Sequence, residues 1–379
     1  MNIILHDNNL HLRFAPLTLT RPVGDLRVGI LTNTERWAIW IPEATISFQT
    51  EDYLSTKFPR ATAKDAIEVN AAVIPNEEIA AALVHLGKDQ QLMFGETWIA
   101  RTGKATEIIQ FLGQEPIVLN QRWDVYLLND QVLVADFFLL TGGRKSQPLS
   151  ETNTVIGNDS LIFLEEGAQV EASVLNTTSG PIYIAKAAEI MEGSLIRGPF
   201  SLGEHAVVKM GAKIYGATTI GPYCKVGGEI SNSLFQAYSN KGHDGFLGNS
   251  LVGEWCNFGA DSNTSNLKNN YSSVRTYSYE TQAEIDTDQQ FMGICMGDHS
   301  KCGINTMFNT ATVVGVSCNI YGGGFPAKFL PSFSWGGADE LVPFKLDKAI
   351  EAANQMMVRR GLELTKGDLE IFEKLVKGN

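Results

Sequence analysis

The sequence is short of positive charge and has no long apolar run. Its 379 residues include 30 Lys or Arg and 42 Asp or Glu, which gives a formal net charge of −12. Nucleic-acid binding needs a basic surface, so we expect no nucleic-acid partner. No stretch reaches the roughly 18 apolar residues of a membrane-spanning helix, and Met1–Asp7 lacks the basic start of a signal peptide. We therefore expect a cytoplasmic protein with no membrane partner.

Cysteine is also scarce, because the chain has only five, an odd number. No two of them form a CxxC pair, which argues against a zinc site or a thioredoxin-type redox motif. Glycine is abundant, with 36 residues, and only 19% of the residues are charged. This balance favours a turn-rich β protein, because glycine supplies the positive φ angles that frequent corners need.

A six-residue period in the middle of the chain is the strongest structural signal. Four residues after nearly every aliphatic residue of the period, the side chain is small. Neither a helix nor a single strand produces a period of six, whereas a coil of short strands does. The eight successive aliphatic residues are Ile184, Ile190, Ile196, Leu202, Val208, Ile214, Ile220 and Val226.

The period resumes twice, from Phe246 to Phe258 and from Met296 to Ile320. The resulting sixteen hexads predict about five turns of a parallel β-helix. Residues 227–245 and 264–290 interrupt the period and are predicted to project as loops. Four of the five cysteines lie at interior positions of the pattern and are expected to be core residues: Cys224, Cys256, Cys302 and Cys318.

The flanking segments predict further domains. Residues 1–143 alternate short apolar runs with helix-like stretches, such as one capped by Asn76, which is typical of an α/β domain. We expect a linker at 144–151, the β-helix at 152–330, and a loop followed by two amphipathic helices at 331–379. The fold class predicted is therefore an α/β domain, a parallel β-helix and C-terminal helices that close its exposed edge.

The hexad array resembles the left-handed parallel β-helix of the hexapeptide-repeat acyltransferases. That resemblance implies the left hand of the coil, a homotrimer with sites between neighbouring subunits, and a CoA thioester such as acetyl-CoA as co-substrate. The segment Gly324–Lys328 resembles the end of many such arrays, where the lysine lies near the CoA phosphates. Lys328 is accordingly expected to bind the cofactor.

The segment Leu12–Pro22 resembles the opening of sugar-1-phosphate nucleotidyltransferases. The domain order is similar to that of bifunctional N-acetylglucosamine-1-phosphate uridyltransferase/glucosamine-1-phosphate acetyltransferase. The resemblance implies that Arg13, Arg21 and Arg27 bind a sugar phosphate, although ordinary ion pairs would explain them equally well. It also implies that Asp124 could hold Mg²⁺ if this domain is active.

This sequence departs from the nucleotidyltransferase pattern at three places. The phosphate-binding loop after the first strand has no glycine in residues 7–13, and Val23 stands where a lysine is usual. The position of the metal-binding aspartate is Ala72, which cannot ligate a metal. We therefore expect Asp124 alone to be insufficient for a catalytic metal site.

The stretch 240–248 resembles the acetyltransferase segment that carries the catalytic histidine. The resemblance implies that His243 is the general base, that Asn257 contacts the sugar and that Asn266 contacts the acyl-CoA. A neutral imidazole can accept the proton of an attacking amine at neutral pH. The alternative is an inert loop histidine. His205 and His299 lie on regular hexads and are expected to be surface residues.

Two further differences from these acetyltransferases concern the molecule that accepts the acyl group. Ser231 stands where close relatives have a phosphate-binding lysine, and Phe246 stands where they usually have tyrosine. The acceptor is therefore expected to differ from the standard one. Three functions remain open: acyl transfer to an amino sugar, sugar phosphate or sugar nucleotide; sugar-1-phosphate nucleotidyl transfer; and a catalytically silent scaffold that binds a sugar nucleotide.

Overall fold

The structure, a computed structural model, describes residues 1–61, 63 and 65–378. Its helices lie at the two ends of the chain. The helix Glu77–Val84 begins after Asn76, whose side chain accepts a hydrogen bond from the backbone N–H of Ile79 at 2.9 Å, as the sequence predicts. The helices are α1 (His11–Phe14), α2 (Asn33–Trp40), α3 (Glu77–Val84), α4 (Asp124–Leu127), α5 (Asn129–Thr141), α6 (Leu346–Val358) and α7 (Lys366–Lys377).

The N-terminal region is built on one mixed sheet. Its first strand is Asn2–His6, whose apolar residues Ile3–Leu5 are buried and which pairs in parallel with a strand on each side. Arg27–Val28 and Leu31–Thr32 form a separate, short antiparallel pair. The strands of the main sheet are, in spatial order, Thr45–Gln49, Asn2–His6, Ile67–Asn70, Thr97–Thr102, Gln90–Phe94 and Glu107–Gln110.

The middle of the chain is a three-faced parallel β-helix of the predicted class. The first face contains Ile162–Leu164, Ile182–Ile184, Phe200–Leu202, Thr218–Ile220, Leu234–Phe235, Leu251–Val252, Cys295–Met296, Val313–Val314 and Phe329–Leu330. The second face contains Gln169–Val170, Glu189–Ile190, Val207–Val208, Lys225–Val226, Asn240–Lys241, Asn257–Phe258, Lys301–Cys302, Asn319–Ile320 and Ser334–Gly336, with Leu341–Pro343 antiparallel at its end. The third face contains Thr154–Ile156, Val174–Asn176, Leu195–Arg197, Lys213–Tyr215, Glu229–Ser231 and Phe246–Gly248, and further along the chain Asn263–Thr264 pairs with Met307–Phe308.

The hexad residues fill the interior of the coil. On the first face Ile184 pairs with Leu202 and Leu202 with Ile220, so partners lie 18 residues, or three hexads, apart. All three side chains are almost completely removed from solvent. The four cysteines predicted to be core residues are buried inside the coil without disulfide bonds, and Cys295, which was not predicted, is buried against the N-terminal region. Burial of one apolar side chain in each hexad thus drives the regular coil.

The prediction of about five turns was wrong. The first face holds nine parallel strands within the described residues, because the coil begins near Thr154 and continues through residues 227–245. Those residues form strands on all three faces rather than a projecting loop. Val226 pairs with Lys241, only 15 residues later, so this turn is three residues shorter than the 18-residue turns before it. A shortened turn breaks the sequence period without breaking the coil.

The interior residue of the next turn also differs from the prediction. Leu247, and not Phe246, pairs with the interior Ile230 and is fully buried, whereas Phe246 is half-buried. The second interruption is a true insertion. Within 264–290 the strands Arg275–Ser278 and Ala283–Asp286 form a hairpin outside the coil.

The N-terminal region packs along the first face of the β-helix and shares a core with it. Leu234 and Leu251 of that face belong to the same buried cluster as Trp37 and Trp123. Helices α6 and α7 pack beside them, with Phe372 buried against Phe333. The predicted boundaries at 143, 151 and 330 stay a prediction, and the final residue of the last segment, Asn379, lies outside the described residues. Within the described chain, no helix combines the length and apolarity needed to cross a membrane.

Candidate active site

A groove of about 520 Å³ lies where the second face meets the end of helix α6. Lys225, Asn240 and Asn257 occupy corresponding positions on neighbouring strands of that face, and all three line the groove. His243 lines it too. The structure thus brings His243 and Asn257, two of the residues singled out from the sequence, to one surface.

The main chain around His243 is tightly packed although its imidazole is exposed. A Cβ on Gly228 would lie 2.8 Å from the carbonyl oxygen of His243. Gly245 has a φ of 118°, and a Cβ there would lie 2.2 Å from the carbonyl oxygen of Ser262. Close contact with the turns on both sides therefore fixes the backbone of this segment and leaves the side chain free to meet a ligand.

Lys241 is an unexpected neighbour of His243. It occupies the interior register position below Val226, and only 2% of its surface is exposed. Its ammonium group donates hydrogen bonds to the carbonyl oxygens of Gly227 at 3.2 Å and His243 at 2.6 Å. Burial lowers the pKa of Lys241 to about 8. The sequence did signal a broken period here, but not that a lysine would enter the core.

Asn266 and Lys328 do not join this groove. The amide nitrogen of Asn266 donates to the side-chain oxygen of Asn249 at 2.8 Å. The ammonium of Lys328 donates to the carbonyl oxygen of Arg275, in the inserted hairpin, at 3.2 Å. Their predicted contacts with an acyl-CoA therefore stay predictions for a different surface of the chain.

Arg21 is part of the junction between the two regions. Its guanidinium is buried, bonds to Asp298, and lies 3.2 Å from a carboxylate oxygen of Glu254. The hydroxyl of Thr20 donates to the same Asp298 carboxylate at 2.7 Å. Burial opposes the charge on Arg21, but the two carboxylates raise its pKa above the ordinary value.

Arg13 and Arg27 are also paired with carboxylates. Arg13 lies 3.0 Å from Glu280 at an exposed position, and Arg27 lies 3.0 Å from Glu35. Arg27 also donates to the carbonyl oxygen of Gln236 at 3.3 Å, on the first face of the β-helix. The structure therefore gives the three predicted phosphate-binding arginines separate partners and does not assemble them into one site.

The residues that would hold Mg²⁺ do not form a metal site. One carboxylate oxygen of Asp124 accepts hydrogen bonds from the backbone N–H groups of Asn120 at 2.7 Å and Gln121 at 2.9 Å. The segment Asn70–Ala72 is buried and has no carboxylate. Among residues 1–61, 63 and 65–378, no cluster of three His, Cys, Asp or Glu side chains could ligate a metal. The side chains present do not fit the ion.

The N-terminal region has a separate cavity of about 510 Å³ at the carboxyl end of its first strand. Asn8 and Asn9, in the following loop, have φ angles of 52° and 59°, so asparagine takes the left-handed conformations that glycine would adopt readily. His11 and Tyr53 line the cavity, with their ring nitrogen and hydroxyl 3.0 Å apart. The sequence marked this loop only by its missing glycines.

The expectation that His299 is a surface residue was wrong. It is only 7% exposed, because Phe372 of helix α7 covers its ring at 5.3 Å. Burial lowers the pKa of His299 to about 3. His205 is exposed, as predicted. A helix more than 70 residues away in sequence decides this difference between two equivalent hexad positions.

Part of the chain is similar in sequence to known proteins. Residues 3–145 match the family model described as sugar nucleotidyl transferase. The bifunctional protein GlmU of Methanocaldococcus jannaschii is 30% identical over 90 residues, which are 24% of this chain and 21% of that protein. The chain thus spans about a fifth of the length of the curated relative it matches.

Two solved structures share a general likeness. The polySia-specific acetyltransferase NeuO is 13% identical with a TM-score of 0.30, covering 56% of this chain and 99% of its own. The Arabidopsis UDP-N-acetylglucosamine acyltransferase is 15% identical with a TM-score of 0.22, covering 62% and 88%. At TM-scores this low, neither says what this β-helix does. The chain combines a sugar nucleotidyl transferase-like N-terminal region with a hexapeptide-repeat parallel β-helix.

Proposed function

We propose that the protein is a transferase of sugar-nucleotide metabolism that acylates an amino sugar, sugar phosphate or sugar nucleotide. A CoA thioester such as acetyl-CoA supplies the acyl group, and His243 is the general base. The observation that carries the proposal is the groove on the second face, which both the exposed His243 and the half-buried Asn257 line. The resemblance of residues 240–248 to an acetyltransferase segment supports it.

The proposed chemistry needs few groups. The sugar amine attacks the thioester carbonyl carbon, and the imidazole of His243 accepts the proton that the amine loses. The C–S bond then breaks, the acyl group stays on nitrogen, and the sulfur leaves as the CoA thiol after taking up a proton. Asn257 would orient the sugar through its side-chain amide. Lys241 would hold the main chain of His243 in place.

The His243→Ala variant tests this proposal. Loss of a general base should lower kcat for acyl transfer by about 10²–10⁴-fold and leave the melting temperature nearly unchanged. His205→Ala is the matched control, because His205 is an exposed histidine of the same β-helix that does not line the groove. Equal rates for the wild type and His243→Ala from about pH 6 to pH 9 would contradict the assignment.

Nucleotidyl transfer is the second candidate, favoured by the family-model match over residues 3–145. Its site would be the N-terminal cavity beside Asn8, Asn9 and Tyr53. Release of pyrophosphate from a nucleoside triphosphate and a sugar-1-phosphate would support it. A rise in melting temperature with sugar nucleotides, without turnover of any substrate, would instead support a silent scaffold.

We also propose a homotrimer. Apolar side chains on the outer side of the third face are exposed, including Ile156 at 45%, Leu195 at 50% and Tyr215 at 40%. Burial of such a patch against a second copy would remove it from water. Light scattering should give about three times the chain mass of 41.5 kDa. A monomer at micromolar concentration would count against the trimer and against any site shared between chains.

A further inference from the structure

Four basic side chains converge on the groove from two parts of the fold. Lys209 and Lys225 come from the second face, and Arg359 and Arg360 come from the end of helix α6. No Asp or Glu is among the described residues that line this groove. In a chain with 42 acidic residues and a net charge of −12, such a concentration of positive charge is exceptional.

Three of these cations lie close enough to Lys225 to disfavour its charge. The pKa of Lys225 is lowered, first by burial and then by the charges of Arg360, Lys209 and Arg359. Arg360 also reaches the β-helix directly, because its guanidinium donates to the carbonyl oxygen of Tyr223 at 3.4 Å. Like charges held together without a counter-ion destabilise the free protein, and an anion bound between them would relieve that repulsion.

The C-terminal end of helix α6 does not by itself explain the four basic residues in the groove. Basic residues near a helix C-terminus interact favourably with the helix dipole, which would account for Arg359 and Arg360. It would not account for Lys209 and Lys225, which lie on a different element and have no carboxylate among the described ion pairs. Two independent elements therefore contribute cations to one concave surface.

Aromatic rings line the same groove. Tyr238 and Trp255 stack with their centroids 4.2 Å apart and their planes within 6°. They belong to a column of stacked rings along one corner of the coil, which continues to Tyr223 on one side and His299 on the other. Neighbouring rings cover both faces of Tyr238 and Trp255, so these residues offer ring edges to the groove. Edge-to-face contact with a planar base, beside four cations, suits a ligand that has both a base and phosphate groups.

We propose that the groove binds a nucleotide that carries two phosphate groups, with Lys209, Lys225, Arg359 and Arg360 contacting the phosphate oxygens. The assignment deepens the proposed function, because His243 lines the same groove, but it does not depend on catalysis. The two phosphate groups belong either to the CoA thioester or to a sugar nucleotide. Either source would explain how a phosphorylated ligand binds although Ser231 replaces the phosphate-binding lysine of similar proteins.

Isothermal titration calorimetry of the full chain with two probes tests the site. The probes are adenosine 3′,5′-bisphosphate, which represents CoA, and UDP, which represents a sugar nucleotide. Tighter binding of the first assigns the cations to CoA, and tighter binding of the second assigns them to the sugar nucleotide. Affinity should fall as the salt concentration is raised, because the contacts are ionic. Absence of binding by both probes at about 1 mM would overturn the proposal.

The double variant Arg359→Gln/Arg360→Gln should weaken the Kd of the bound probe at least about tenfold. Lys348→Gln, on the same helix but about 16 Å away along its axis, is the matched control and should change Kd less than about twofold. The melting temperature without ligand should not fall in the double variant, because mutual repulsion is removed. An unchanged Kd in the double variant would overturn the proposal.

The proposed phosphate site and the proposed acyl transfer can be tested separately. Probe binding that weakens in the double variant, in a protein without any acyl transfer, would support the phosphate site and contradict the proposed activity. Acyl transfer that neither probe inhibits would overturn the phosphate site and leave the activity standing.

Discussion

The basic residues at the junction between the two regions differ from those in the groove. At the junction, Arg21 is buried between Asp298 and Glu254, so its charge is balanced within the protein. In the groove, Lys225 and Arg359 lie among described lining residues that include no Asp or Glu. Paired charges hold two parts of a fold in register, whereas unpaired charges are available to a ligand. Loss of a paired cation should therefore lower stability at the junction, and loss of an unpaired cation should weaken ligand binding in the groove.

The largest effect is expected at the junction. Arg21→Met would leave the carboxylates of Asp298 and Glu254 without their cation, and breaking a buried pair in this way costs about 3–5 kcal/mol of unfolding free energy. Arg13→Met is the control, because its pair with Glu280 is exposed and should cost less than about 1 kcal/mol. Urea unfolding measures both. Equal losses in the two variants would show that the junction does not depend on the buried pair.

A histidine beside this junction should make stability depend on pH. Burial lowers the pKa of His299 to about 3, so the folded protein keeps the imidazole neutral while the unfolded chain takes up a proton below about pH 6.5. Stability is therefore fully present above pH 6.5 and is lost as the pH falls. Between pH 7 and pH 5 the loss is about 2 kcal/mol.

The variant His299→Phe isolates that contribution. Phenylalanine keeps a ring between Trp255 and Phe372 but cannot bind a proton, so the difference in stability between pH 7 and pH 5 should shrink by about 2 kcal/mol. His205→Phe, at the exposed end of the same ring column, should leave that difference unchanged. An identical pH dependence in all three proteins would mean that His299 is protonated in the folded state.

The buried Lys241 tests whether a cation that forms no ion pair with the described residues can position another residue rather than stabilise the fold. Lys241→Met removes a charge that burial already disfavours, so the melting temperature at pH 7 should not fall. The same change removes the donor to the carbonyl of His243, and kcat for acyl transfer should fall about tenfold with little change in KM. A lower kcat with an unchanged KM and melting temperature distinguishes a positioning role from a purely structural one.

Lys301→Met is the matched control for that experiment. Lys301 lies on the same face, and its ammonium likewise donates to a histidine carbonyl, that of His299, at 3.0 Å. It does not line the groove, so kcat should stay near the wild-type value. A loss of kcat in both variants, or in neither, would contradict a specific role of Lys241.

The sequence predicts those parts of the architecture that depend on residues close together in the chain. The hexads predict the interior residues Ile184, Leu202 and Ile220 because each depends only on the shape of its own turn. The turn at 227–245 was missed because a deletion of three residues destroys the spacing while burial of Ile230 and Phe235 preserves the coil. Hexad spacing cannot distinguish a shortened turn from a loop.

The groove could be predicted only in part. Its histidine and Asn257 follow from the local segment, but Arg359 reaches them only because helix α6 packs back along the β-helix. The same long-range packing buries His299 under α7 and gives Arg21 its partners on the β-helix. These features depend on contacts between segments far apart in sequence, for which no local pattern exists.

The smallest effect is expected at Asp124. Its carboxylate is bound within the protein, although the resemblance to nucleotidyltransferases implies that it could hold a metal. Two backbone N–H groups bind it, so Asp124→Ala should cost about 1 kcal/mol of stability. Asp130→Ala, at an exposed position on the neighbouring helix α5, should cost less. Pyrophosphate release with and without Mg²⁺ should be the same in Asp124→Ala and in the wild type. Mg²⁺-dependent release that collapses in this variant would show that Asp124 leaves its two backbone partners to ligate the ion, and that the N-terminal cavity is a nucleotidyl transfer site.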